Sequence, residues 1–211
     1  MGQYLNKLLS LSTPSLGADP AVISDDLVVN AGRFGLELAE LLSARNGFYA
    51  FESALHVFPT GKTEHISLEQ WNNPDLWIGH YGDLVKDIFF FAEDIFGHQF
   101  CFYQDKICLF DAETAKLESF ASNLEEWAQV LLDNYPVWTG HPLANQWQEK
   151  NGSLPFGFRL MPMTPFTCGG EFVVENLYPI KAVSGMRTRA NLATQIANMT
   201  DDSTITFDIV E

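Results

Sequence analysis

Basic residues are scarce in this chain: 12 Lys and Arg stand against 27 Asp and Glu, a formal net charge of −15. Nucleic acid and anionic membrane surfaces both require a basic face, so this balance disfavours them as partners and favours a basic protein or plain solubility. Cysteine is rarer still. Three in 211 residues do not make a disulfide framework. No apolar run approaches the roughly 18 residues of a membrane span. The opening MGQYLNKLLSLSTPS is broken by Asn6 and Lys7 and lacks a basic leader region, and Asn6 stands where a myristoylation signal wants Ser or Thr. The expectation is a cytoplasmic, soluble protein. Charged residues make up only 18% of the chain and hydrophobic ones 46%, so it can build a core and is not a disordered acidic tail.

The pattern along the chain predicts an α+β fold: a single domain over 1–211 with a mostly antiparallel or mixed sheet flanked by helices, residues 1–30 forming an N-terminal helix and loop extension. Leu5, Leu8 and Leu9 have helical spacing, as do Phe34, Leu38, Leu41 and Leu42 within a helix over 32–46 ended by Gly47. FYAFESALHVF (48–58) reads as one strand and DIFFFA (87–92) as a strand covered on both faces. FCFY (100–103), ICLF (107–110) and KLESF (116–120) have the short gaps of consecutive hairpins. Ser122 and Glu125 match a capping box ahead of a stripe through Leu124, Trp127, Ala128, Leu131 and Leu132. A short helix fits 142–150, an irregular connection 154–170, a strand 171–178, a helix 186–199 and a final strand 204–210.

Motifs that carry chemistry are largely missing. There is no HExxH, no Cys-x-x-Cys, no GxSxG and no P-loop; Thr60-Gly61-Lys62-Thr63 lacks the upstream glycine and reads as a turn. Cys101 and Cys108 would face each other across a hairpin near His98, but cysteines in apolar strands behave as small core residues. Cys168 precedes Gly169 and Gly170, whose amides could form an oxyanion hole, yet no motif ties His56, His65, His80, His98 or His141 to it. The reading is no catalytic residue, no metal and no cofactor.

Charge is unevenly placed. Residues 87–133 hold ten acids and two lysines, more than half of the net charge in under a quarter of the chain. Either this is a solvated sheet edge and helix start, or it is an acidic face that steers a cationic protein. On the second reading Glu93, Asp94, Asp105, Asp111 and Glu113 are the candidate partner-binding residues.

The segments NGFYAFESALHVFP (46–59), FFFAEDIFGHQF (89–100), LFDAETAK (109–116), SNLEEWAQVLL (122–132) and GGEFVVENLY (169–178), in that order, resemble the SUKH superfamily, the group built around fungal cell-wall assembly regulators and many bacterial proteins. The resemblance runs from about residue 46 to about residue 198. It implies an α+β binding module without catalytic residues. For the bacterial branch it implies an immunity protein that neutralises a cognate polymorphic toxin, often a nuclease, in the cytoplasm of the producing cell. For the fungal branch it implies a regulatory scaffold with several partners. Trp127, Gly47, Gly97 and Asn176 match family positions explained by packing, turn geometry and strand-end hydrogen bonding rather than by function. An enzyme built on Cys168 or a carboxylate pair is the third reading.

Overall fold

A computed structural model describes residues 1–199; the strand expected at 204–210 lies outside them. Its centre is an antiparallel meander of six strands in chain order: β1 (Phe48–Ala50), β2 (Leu55–Val57), β3 (Phe89–Asp94), β4 (Gln99–Tyr103), β5 (Lys106–Phe110) and β6 (Leu117–Ala121). β3 is buried at all six positions, as its apolar run requires. The β4–β5 turn uses Gln104 and Asp105 at φ 45° and 61°, the two-residue turn whose twist suits a tight hairpin. It sets Cys101 opposite Cys108, and both are buried free thiols.

Aromatic side chains cover both faces of the sheet. On one, Phe91 and Phe100 meet Trp127 edge to face, Trp127 lying on helix α5 (Leu124–Thr139). Helix α1 (Gln3–Ser10) packs on α5 through buried Leu5, Leu8 and Leu9, and Phe34, just before helix α3 (Gly35–Ala44), stacks on Phe102. On the other face Phe90 packs against Trp77 and Phe110. The short helices α2 (Asp25–Asn30) and α4 (Leu68–Trp71) lie between these elements in the chain. After α5 come α6 (His141–Asn151), a two-stranded antiparallel sheet of β7 (Phe158–Pro162) and β8 (Leu177–Lys181), and α7 (Ala182–Ala197). β7 is tied to the main sheet by Leu160 N–H donating to the Ile95 carbonyl at 2.9 Å.

Four local expectations are corrected. Residues 48–58 form a hairpin, not one strand, because Phe51, Glu52 and Ser53 all take positive φ and reverse the chain without glycine or proline. The N-cap of α5 is Asn123, accepting from Glu126 N–H at 2.9 Å, one residue later than the Ser122 pattern; Glu125 instead accepts from Tyr4 N–H at the start of α1. The supposedly irregular 154–170 contains β7, while 171–176 is a bend followed by the 3-10 turn Val174–Asn176 and the strand begins at Leu177. Gly47 is not the cap of α3, which ends at Ala44; its φ is 68° and a Cβ there would come within 2.5 Å of Pro59 N, so close backbone approach demands glycine.

Candidate functional site

The five carboxylates expected to form one acidic face are not together on the surface. Asp105 is exposed at the tip of the β4–β5 turn. Asp111 is half-buried, its Oδ1 accepting from Glu113 N–H at 2.8 Å and Thr114 N–H at 3.1 Å. Glu113 is buried and accepts from the Phe166 and Thr167 amides and the Thr167 hydroxyl, pinning a loop that sits far along the chain. Asp94 is buried in the β3–β4 turn, accepting from Phe96 N–H at 2.9 Å and His98 N–H at 2.8 Å. Glu93 is 1% exposed. Glu93, Asp94 and Glu113 therefore cannot meet a partner. Each is an internal acceptor for amides or cations that would otherwise be buried without one.

Asp105 does have an acidic neighbour. It lines an open groove of about 720 Å³ together with Asp87 from the approach to β3. Val29 to Phe34 line the same groove. Arg33, the one base among the described residues lining this groove, donates to the Ser122 carbonyl.

A second arrangement had no sequence motif. β2 pairs with β3 so that His56 lies opposite Glu93, and β7 brings Arg159 to the same point. Glu93 Oε1 accepts from Arg159 Nε at 2.8 Å and contacts His56 Nδ1 at 3.0 Å; Gln99 Nε2 donates to Glu93 Oε2 at 3.3 Å. The β1–β2 register stacks Tyr49 on the His56 ring, 4.4 Å between centroids, and the Arg159 guanidinium lies 5.2 Å from the Tyr49 ring.

The protonation states follow from these contacts. Burial alone would raise the Glu93 carboxyl, but Arg159 and His56 outweigh it and hold it below the usual carboxylate range. Burial pushes His56 down to about 4, against the pull of Glu93. An ionised Glu93 can only accept, so the proton of a neutral His56 sits on Nδ1 and leaves Nε2 a lone-pair acceptor. Among the described residues that Nε2, like Arg159 Nη2, is buried with no hydrogen-bond partner.

His56 and Glu93 form part of the wall of a cavity of about 280 Å³. Tyr49, Phe58, Trp71 and Phe156 supply aromatic surface, and Glu64, His65 and Lys181 also line it. Among the described residues no Ser, Thr or Cys lines it. The His–Glu pair thus resembles the orienting half of a nucleophilic site, with no nucleophile beside it among the described residues. Cys168 is exposed on the 3-10 turn Phe166–Cys168, away from this wall, and Gly170 lies so close to the Thr164 carbonyl that a Cβ would overlap it. No group of three or more His, Cys, Asp or Glu among the described residues could hold a metal ion.

The missed signal was a polar or charged side chain within an otherwise apolar strand: His56 in LHV, Glu93 beside Asp94 in FFFAED and Arg159 in FRLMP. Each alone would strand a polar group in the core. Together they pair Glu93 with Arg159 and His56, while His56 Nε2 and Arg159 Nη2 keep no partner among the described residues.

No family model matches this chain, and no curated protein does. Among solved structures it is similar to Atu4351 from Agrobacterium tumefaciens, at 15% identity over 89% of this chain and 88% of that one, with a TM-score of 0.55. At that identity the likeness concerns the fold alone, and it agrees with the α+β architecture described above.

Proposed function

We propose that this protein is a non-enzymatic binding module that neutralises a basic protein toxin by direct occlusion, as an immunity protein of a polymorphic toxin system. One observation carries the reading: a large acid excess is left on the surface, and Asp87 and Asp105 line one open groove whose one base among the described residues is already engaged. Glu118 on the edge strand β6 and Asp133 on α5 add exposed acids without an ion pair among the described residues. Such a field accelerates encounter with a cationic surface and rejects nucleic acid. The SUKH resemblance supports the same reading. No described helix is long and apolar enough to cross a membrane, which fits a partner met in solution.

The test is coexpression with any toxin domain found encoded beside this gene, followed by stopped-flow association of the purified pair. Rescue of growth, a 1:1 complex, and an association rate falling about tenfold between 50 and 300 mM salt are expected. Asp87→Lys/Asp105→Lys should slow association further at low salt. An association rate indifferent to both salt and this double change would refute the electrostatic mechanism, and failure to protect would refute the function.

A further inference from the structure

Asn-Gly occurs twice in this chain, at 46–47 and at 151–152, and the fold treats the two steps in opposite ways. In such a step the glycine nitrogen can reach the carbon of the asparagine side-chain amide, because glycine has no Cβ to block the approach and moves freely between backbone conformations. Asn46 is 1% exposed. Its Oδ1 accepts from Thr60 N–H at 2.8 Å, and its Nδ2 donates to the Ala18 and Thr60 carbonyls at 2.8 and 3.1 Å. Gly47 is packed against Pro59. The step cannot turn into a reactive geometry without breaking that set.

Asn151 is exposed and is the last residue of α6. Gly152, its C-cap, has φ 89°, and a Cβ there would meet nothing within 4 Å, so the space around its nitrogen is open. Two hydrogen bonds hold this step: Asn151 Nδ2 donates to the Trp147 carbonyl at 2.8 Å, and Gly152 N–H donates to the Gln148 carbonyl at 2.8 Å. Both belong to the final turn of the helix, where no further turn holds the chain, water replaces a broken bond and opening costs little. The three bonds of Asn46 are wholly or partly buried. Each net bond shifts an opening equilibrium about fivefold, so the two steps differ about a hundredfold in access to the reactive geometry.

We propose that Asn151-Gly152 is a site of spontaneous deamidation and that the fold protects Asn46-Gly47 from the same reaction. When the last turn of α6 opens, hydroxide removes the Gly152 N–H proton and the nitrogen attacks Asn151 Cγ. The N–Cγ bond forms, the Cγ–Nδ2 bond breaks, and Nδ2 leaves as ammonia with a proton from water, which restores the hydroxide. Water then opens the five-membered succinimide. Attack at Cγ gives aspartate; attack at the main-chain carbonyl carbon gives isoaspartate, with the chain now running through Cγ. Either product sets a carboxylate at the negative end of the α6 dipole and removes the Nδ2 bond to Trp147. Isoaspartate also lengthens the main chain by one carbon, which draws Gly152 N–H off the Gln148 carbonyl. Gln148 braces this exit twice more, accepting from Leu154 N–H at 3.1 Å and donating to the Glu52 carbonyl at 2.8 Å. The modification therefore loosens residues 152–156, the segment that stacks Phe156 on Tyr49.

The experiment is ageing of the full chain at about pH 8 and 37 °C, native and in about 8 M urea, followed by peptide mapping with mass spectrometry and chromatographic separation of aspartate from isoaspartate. In the native chain the peptide containing Asn151 should gain about 1 Da, with both isomers present, at least about tenfold faster than the peptide containing Asn46. In urea, where both steps are unfolded, the two rates should converge. Asn151→Gln, which keeps an amide but cannot close the five-membered ring, should remove the main acidic species that ion exchange separates from the fresh protein. Hydrogen exchange over residues 152–156 should be faster in the separated aged form than in the fresh chain. Equal native rates at the two steps, or a faster rate at Asn46, would overturn the assignment. So would an Asn151 peptide that stays intact in the native chain while it reacts in urea. Rates that stay tenfold apart in urea would overturn the protective role of the fold, and unchanged exchange over 152–156 would overturn the loosening of the α6 exit.

Discussion

Glu93→Gln isolates the charge at the centre of the buried cluster. The two side chains have nearly the same shape, and the amide oxygen can still accept, so no cavity opens. What changes is that the Arg159 guanidinium, 1% exposed and 2.8 Å from the carboxylate, loses its counter-ion. Breaking a buried pair by neutralising one partner costs about 3–5 kcal/mol, because the other charge stays desolvated. Total stability is only about 5–15 kcal/mol for a domain, so the variant should fold but sit close to the edge. In a chain of this length each kcal/mol moves the Tm by about 2–4 °C, giving a drop of about 6–20 °C. Urea unfolding by far-ultraviolet circular dichroism should show the midpoint falling at constant slope. Arg159→Met in the same background should recover part of the loss, with a coupling energy of at least about 2 kcal/mol in the double-mutant cycle. A loss below about 1 kcal/mol, the level of an exposed ion pair, would mean that the cluster is solvated and would refute the tautomer argument with it.

Three further outcomes follow from the same contacts. His56, held down to about 4, refuses a proton that the unfolded chain accepts below pH 6.5, so its contribution is present above pH 6.5 and drains by about 3 kcal/mol as pH falls to 4. Burial pushes Asp94 up to about 6, so the folded state takes a proton first and gains about 3 kcal/mol as pH falls from 6 to 3.8. The two slopes nearly cancel between pH 6 and 4, and Asp94→Asn should expose the His56 loss as a steeper decline in urea midpoint; an unchanged slope would contradict both assignments. Glu113→Ala should leave the Phe166 and Thr167 amides without an acceptor, costing about 1–3 kcal/mol and raising hydrogen exchange over residues 164–170 above that of β3. A thiol reagent should label one cysteine per native chain, exposed Cys168, leaving buried Cys101 and Cys108 to react only on unfolding; two or three fast thiols would mean that the β4–β5 hairpin opens.

The meander was legible where chemistry repeats locally. β3 announces itself as an apolar run, β4 and β5 flank a two-residue turn, and the α5 stripe has helical period, so these elements fall where the sequence puts them. The β1–β2 turn was not legible, because Phe51, Glu52 and Ser53 adopt positive φ without glycine, asparagine or proline to mark it. β7 was hidden by neighbouring prolines and glycines, and β8 carries Pro179 inside it, tolerable because β8 pairs with β7 on one side only. The cavity was illegible for a different reason. His56, Glu93 and Arg159 meet through cross-strand register and through β7 docking, and periodicity along one strand says nothing about either.

The misplacement of the acidic residues has a physical lesson of its own. Three carboxylates expected at the surface are inside, but two guanidiniums, Arg159 and Arg189, are inside with them. Among the described residues, burial therefore removes a single unit of net negative charge from the surface. The interior is close to neutral because each buried carboxylate needs a cation or a set of amide donors, and each buried guanidinium needs an acceptor. The described residues internalise charge in near-equal amounts and so display almost their whole acid excess to solvent, whichever residues do the displaying. Losing Glu93, Asp94 and Glu113 from the candidate contact set changes which side chains a cationic partner would touch, towards Asp87 and Asp105, and leaves the long-range field that would draw it in almost unchanged.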